Sequence, residues 1–459
     1  MKFCIIGAGP TGLGAAYRLT ELGVTDFRLY ERNPFVGGLA TSYVDDEGFT
    51  WDLAVHVTHS HYPYFDRVLD EALPDGYLHH ERRSWVRIHQ TYVPYPFQYN
   101  IRYLPQDALW ECIEGLLNLP SNGSGEPKNF AEWISSGFGN GIADHFMLPY
   151  NHKIWTVHPA EMAYQWIGDR VPTIDIQRIL KNVILGLDDV SWGPNSTFQF
   201  PREGGTGAIW KAVASKLPDS NKRLSHTLID IDPKTRQLTF ANGETETYEF
   251  LISAMPIPEL IKLCKLDEIA KRAGQLRHSH VYVVGVGVNH PIPEDLKEKT
   301  WLYCPGKESI FYRVTPFSTF SPAHVPHPGQ QCSFLCEISV PAGETRDTEF
   351  LRQAALDGLV KSGMLPYIPD GTHTYIMDAP YGYPIPTPDR DRILADVLPS
   401  LEAYNIYSRG RFGGWKYEVS NMDHTFMQGV EVIDLILSDI PEETLPTPAH
   451  VNAGKARKR

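Results

Sequence analysis

The segment Phe3-Cys4-Ile5-Ile6-Gly7-Ala8-Gly9-Pro10-Thr11-Gly12 runs an apolar strand straight into a glycine turn. A turn of this kind cradles a pyrophosphate. Gly7 allows the tight bend, Gly9 lets the backbone approach the phosphates, and Gly12 lets the next helix pack against the strand. Pro10 and Thr11 open that helix, whose free N–H groups face the anion. A second strand, 27–30, ends at Glu31, nineteen residues past Gly12, where a carboxylate can bind a ribose hydroxyl; Arg32 follows it. Strand, turn, helix, strand and acid in that order read as a dinucleotide site rather than an ordinary glycine-rich turn.

Other residues are suited to phosphate and base recognition. Arg170 and Arg313 stand in glycine-rich and aromatic surroundings, and a guanidinium can grip phosphate with two donors. Taken singly, each reads equally well as a surface ion pair. Tyr303, Tyr383 and Tyr417 are phenol donors on rigid rings. Tyr95, Phe97 and Gln98 supply aromatic faces and an amide that could read a base. Without context, such aromatics read as core. His56, His59 and His61 recur at i, i+3 and i+5 with no carboxylate or cysteine cluster beside them, so no metal site is expected.

These residues need a scaffold of several parts. The 459 residues are ample for two or three domains. Short strands are expected at 84–88 and 91–94, and apolar spacing of three and four predicts helices across 106–190. Residues 200–260 return to αβ character, with a hairpin at Asn242-Gly243. Strands are expected at 280–288 and 332–340, and helices at 349–362 and 430–437. The fold class is α/β: a discontinuous Rossmann-like nucleotide domain (1–78, 200–262 and 404–445), an inserted helical domain (106–199), and an antiparallel-sheet domain (79–105 and 263–403). Residues 446–459 are expected to be a disordered tail. Substrate would bind where the parts meet.

Composition narrows the partners. Apolar residues make up 42% and charged residues 21%, as in ordinary globular proteins. A net charge of −13 argues against a nucleic-acid partner. Six scattered cysteines show no metal spacing and suit a reducing compartment. The longest apolar run, 281–288, is too short to span a membrane. With no basic leader before the first strand, a cytoplasmic protein is expected. A homo-oligomer is left open.

Several segments carry a more specific resemblance. Asn33-Pro34-Phe35-Val36-Gly37-Gly38-Leu39-Ala40 forms a second glycine turn, followed by Gly48-Phe49-Thr50-Trp51-Asp52. This pair looks like the FAD-binding continuation of the amine-oxidase-like flavoproteins. Val93 to Gln98, Met147 to Trp155, Trp192 to Phe198, Trp301-Leu302-Tyr303, Tyr383 to Thr387 and Gly410 to Asn421 together resemble the UDP-galactopyranose mutase family, its eukaryotic form in particular. The resemblance runs in order from residue 1 to about 437.

It implies an FAD-dependent isomerase that interconverts UDP-galactopyranose and UDP-galactofuranose. The reaction would use the N5 nucleophile of reduced FAD and a flavin–sugar iminium, with no net redox; NADPH or NADH would reduce the flavin. Arg170 and Arg313 would clamp the diphosphate with Tyr303, Tyr383 and Tyr417. Tyr95, Phe97, Gln98 and Asn151 would take the nucleotide, and Trp155 and Trp301 would line the site. Asn195 and the 168–172 segment would belong to flaps. Val55, His56, Gly410, Arg411, Asn421 and Met422 would lie at the flavin, and His61 near the sugar.

The chain departs from that family at three places. The family's Asp-x-Gly-Gly-His is Asp52-Leu53-Ala54-Val55-His56 here, and a β-branched valine resists the positive φ open to glycine. The aromatic expected three residues past the histidine is His59, and an expected tyrosine is Phe320. A different sugar on the same nucleotide is therefore an alternative, as is an amine-oxidase-like FAD oxidoreductase.

Overall fold

The computed structural model describes residues 1–74, 76–119, 125–168, 171–190 and 196–457. A parallel sheet carries the strands in the order Ile406–Ser408, Phe250–Ser253, Phe3–Ile6, Phe27–Tyr30 and Lys222–Arg223. Both its faces are covered, so its central strands Phe3–Ile6 and Phe250–Ser253 are largely apolar. Phe3 and Ile5 point to one face, against helices Pro10–Glu21, Gly207–Ser215 and Met422–Ser438. Cys4 and Ile6 point to the other, against helices Ile257–Cys264, Asp267–Ala273 and Arg390–Glu402. This alternation is the two-residue period of a strand.

The second large sheet has seven strands. Its order is His373–Pro384, His278–Val288, Cys332–Pro341, Arg313–Pro316, Trp301–Tyr303, Ser84–Ile88 and Thr91–Pro94. All neighbours are antiparallel except Trp301–Tyr303 on Ser84–Ile88. Helix Thr348–Lys361 covers one face through Leu351, Ala355 and Leu359. The other face meets Trp51, Leu53 and Val55 of the nucleotide-side chain. Helices Gln106–Leu117, Phe130–Ile142, Leu148–Trp155 and Ile176–Leu185 surround a third core that also receives Tyr303, Tyr383 and Tyr417.

Packing corrects the expected boundaries. The breaks at 78/79 and 199/200 cut through strands Tyr77–Glu81 and Thr197–Pro201, which pair with each other. Helices 267–273 and 390–402 pack on the parallel sheet rather than with the seven-stranded one. The C-terminal segment is not a disordered tail among its described residues. Pro448–Asn452 is helical, Val451 is fully buried, and Asn452 donates to the Glu418 carbonyl. Among the described residues, no helix is long and apolar enough to cross a membrane, and all six cysteines are free and buried.

Candidate functional site

Two glycine turns meet at the head of the parallel sheet. Gly7 sits at φ +100°, and a Cβ on Gly12 would lie 1.8 Å from the Gly7 carbonyl oxygen, so only glycine lets the helix start this close. Gly37 and Gly38 also have positive φ, and a Cβ on Gly38 would stand 3.2 Å from Gly9 Cα. Pro10 begins the helix, Thr11 is buried at Gly410 (φ +93°), and Leu39 and Ala40 complete the second turn. Glu31 accepts from Ala8 N–H at 2.8 Å and from Asn33 N–H at 2.9 Å, tying the strand end to the first turn. Arg32, expected at the cofactor, is exposed.

From there a cavity of about 420 Å³ opens between the two sheets and the helical part. One end is walled by Leu39, Ala54, Val55, His56, Arg411 and Met422. His56 Nδ1 lies 2.9 Å from the Ala54 carbonyl, which only accepts. Nδ1 therefore carries a proton. Burial, with Arg411 and Arg313 nearby, pushes the His56 pKa down to about 3, so the ring is neutral and Nε2 bears a lone pair. Ala54 and Val55 both keep negative φ, so the valine fits without strain.

The middle of the cavity is cationic. Arg411 donates to the Gly382 carbonyl and to Ser420 Oγ. Arg82 reaches Ser84 Oγ at 3.3 Å and Tyr303 Oη at 3.4 Å, and lies over the Trp301 ring. Neither guanidinium has a carboxylate within ion-pair distance among the described residues. Arg313 does: Glu337 holds it through Nε and Nη2. Burial opposes the Arg313 charge, but Glu337 overrides it and holds the pKa well above the usual value. Burial would likewise raise the Tyr303 phenol, yet Arg82 and Arg313 together lower it. Tyr383 Oη is 3.1 Å from Tyr312 Oη, and Tyr417 packs edge-on against Trp155 at 4.9 Å.

The far end is aromatic. Tyr95, Phe146, Tyr150 and Trp155 line it with Gln98 and Asn151. Gln98 donates to the Pro172 carbonyl at 3.0 Å, and Asn151 Oδ1 accepts from Trp155 Nε1 at 3.2 Å. Phe97, expected at the base, is instead fully buried behind the wall, its ring tilted against Phe146 at 4.7 Å.

The three histidines part company. His56 and His59 line the cavity, while His61 does not. His61 Nδ1 instead pairs with Asp423 Oδ2 at 2.8 Å, beside His424. His59 Nε2 is 3.4 Å from Asn421 Nδ2, and its Nδ1 has no hydrogen-bond partner among the described residues. Burial pushes its pKa down to about 4. Phe320 lies in a cluster with Phe198, Trp301 and His80. Arg170 and Asn195 lie outside the described residues. Arg82 and Glu337 escape sequence reasoning: one follows a charged strand end, the other sits mid-strand, and only tertiary pairing brings them to the cavity.

The fold superposes on the crystal structure of a reduced UDP-galactopyranose mutase with a TM-score of 0.93 and 42% identity, covering 98% of this chain and 97% of that one. The chain belongs to the UDP-galactopyranose mutase family. It also falls within the flavin containing amine oxidoreductases, whose family profile matches residues 10–327. Two distant structures share the fold alone. A putative protoporphyrinogen oxidase from Exiguobacterium sp. 255-15 is 16% identical (TM-score 0.71, 95% of this chain and 98% of that one). Cyclohexylamine oxidase from Brevibacterium oxydans IH-35A is 12% identical (TM-score 0.64, 95% and 99%). Zeta-carotene desaturase of Zea mays is 35% identical over 78 residues, 17% of this chain and 14% of that protein. FAD is the cofactor of the family, and the facing glycine turns fit it: Gly12 lets the first helix start against the Gly7 carbonyl, and Gly38 lets the second turn approach Gly9, where a Cβ would stand 3.2 Å from its Cα.

Proposed function

We propose that the protein is a flavin-dependent UDP-galactopyranose mutase, converting UDP-galactopyranose to UDP-galactofuranose and back without net oxidation. The observation that supports this reading best is the pair of half-buried guanidiniums, Arg82 and Arg411, which have no carboxylate partner among the described residues and line a cavity that opens from the flavin turns. A buried cation needs an anion, and a nucleoside diphosphate supplies one.

Gly7, Gly9, Gly12, Gly37, Gly38 and the Pro10 helix start would hold the FAD pyrophosphate; Val55, His56, Gly410, Arg411, Asn421 and Met422 would surround its ring. Reduced flavin, when bound, supplies an electron pair to the anomeric carbon. The residues of this chain do the rest. Arg82, Arg313, Tyr303, Tyr383 and Tyr417 stabilise the charge that grows on the diphosphate as its bond to the sugar breaks. Tyr95, Gln98 and Asn151 seat the uridine, with Trp155 and Trp301 excluding water around it. Neutral His56 can accept a proton at Nε2. Arg170 and Asn195 are proposed to close over the substrate, and NADPH or NADH to be the reductant.

A second reading keeps the nucleotide and changes the sugar, because Val55 and His59 line the cavity and Phe320 backs it behind Trp301. The test is to reduce the purified protein, add UDP-galactopyranose, and separate the sugar nucleotides by chromatography. A galactofuranose peak supports the first reading. Conversion only of another UDP-sugar moves the assignment to the second. Oxygen uptake with an amine and no isomerisation defeats both. A Val55→Gly variant with unchanged rate and selectivity would remove position 55 from the specificity argument.

A further inference from the structure

Asp52 ends the strand Thr50–Asp52 and is fully buried. Among the described residues, three groups reach its carboxyl: the Ser42 hydroxyl, the Thr206 N–H and the Thr206 hydroxyl. Among the described residues, no lysine, arginine or histidine pairs with it. Neighbours on the packed elements are neutral: Ser42 opposite on the paired strand, Gly205 to Gly207 at the head of the next helix, and the uncharged His56 on the loop. Arg313 and Arg411 bear on His56 and not on Asp52. Gly205 closes the pocket, since a Cβ there would lie 2.2 Å from Asp52 Oδ1.

The protons can be counted. Ser42 Oγ accepts from Gly207 N–H at 2.7 Å and gives its own proton to Asp52 Oδ1. Thr206 Oγ1 lies 2.6 Å from Asp52 Oδ2 and 2.8 Å from the His56 carbonyl oxygen. If Asp52 is ionised, both of these oxygens are acceptors, and one hydroxyl has one proton to give. One contact would then set oxygen against oxygen at hydrogen-bond distance where no water reaches. A single added proton satisfies every group.

We propose that Asp52 is held as the neutral carboxylic acid, donates from Oδ2 to Thr206 Oγ1, and through Thr206 donates to the His56 carbonyl, fixing the loop Leu53–His56. Asp52 is thus a positioning residue for the flavin face. Its role in turnover rests on the mutase reading; its protonation does not. Burial without a counter-charge is the physical cause, and it pushes the Asp52 pKa up to about 7. A raised folded-state pKa stabilises the fold fully below the ordinary value of 3.8, and that contribution fades as pH rises through about 7.

The test is infrared difference spectroscopy of the holoenzyme, titrated between about pH 5 and about pH 9. The carbonyl stretch of a protonated acid should be present at the acid end, fade near neutrality, vanish in Asp52→Asn, and shift in Thr206→Val. Asparagine mimics the neutral acid, with Nδ2–H donating to Thr206. Asp52→Asn should therefore keep its flavin. It should also escape the fall in melting temperature, relative to acid pH, that the unsubstituted protein shows as pH rises toward neutrality. Absence of the acid band, or a band unmoved by either variant, overturns the proposal and leaves the mutase reading intact. Should Asp52→Asn not fold, the Thr206→Val shift decides. A correct band in a protein that makes no galactofuranose overturns the mutase reading instead.

Discussion

Arg82 is a half-buried cation whose protein partners are a phenol and a serine hydroxyl. Charge-stabilising donors of this kind are worth about 10²-fold or more in kcat. Arg82→Ala should lower kcat by about 10²-fold, while Arg83→Ala, at an exposed neighbour bound to Glu81 and Glu298, should leave turnover unchanged. Steady-state kinetics on the two variants checks this. His59 poses the opposite case, a neutral ring in the cavity wall whose enclosed Nδ1 has no hydrogen-bond partner among the described residues. Such an unmet group costs about 1–3 kcal/mol. His59→Phe should therefore raise the melting temperature while changing the relative turnover of UDP-sugars. A variant less stable than its parent would show that Nδ1 has a partner in solution.

At the scale of elements, helices Pro10–Glu21 and Met422–Ser438 lie closer than side chains allow. A Cβ on Gly429 would stand 2.0 Å from the Thr11 carbonyl oxygen, and one on Gly14 2.3 Å from that of Phe426. Gly429→Ala must spread two helices that flank the flavin turn, at a cost of about 3 kcal/mol. Thermal unfolding followed by flavin fluorescence should show a lower melting point, with flavin released as the helices part. The same contrast between local and distant explains what was legible in the chain. Gly7, Gly9, Gly12 and Glu31 lie within one strand–helix–strand unit, so spacing alone reveals them. The short strands expected at 84–88 and 91–94 are likewise local, and the structure has both. Phe97, expected at the base, instead backs the wall, and Phe146, from an element far away in sequence, lines the cavity in front of it. The helix at Pro448–Asn452 was hidden because its order comes from docking on Glu418 and the core, not from its own pattern.

The whole molecule carries a charge of −13, yet Arg82, Arg313 and Arg411 all line one internal cavity. Ligands that bind only the folded state stabilise it, by about 2.7 kcal/mol at a hundred times Kd. UDP should raise the melting temperature of the holoenzyme, and uridine, which lacks the phosphates, should not. Rising salt should weaken the UDP effect less than it would at an exposed patch, because buried charges are poorly screened. Equal stabilisation by UDP and uridine would contradict the cationic reading of the cavity.

The docked C-terminal segment has a practical consequence. Asn452 is anchored to the carbonyl of Glu418, the residue next to Tyr417 in the cavity wall, and Glu418 itself grips Arg390 through two hydrogen bonds. An affinity tag fused at residue 459, or a protease nick near Thr447, would pull on the back of that wall. Handling of the purified protein would then read as a change in nucleotide affinity, with every residue of the cavity still in its native identity.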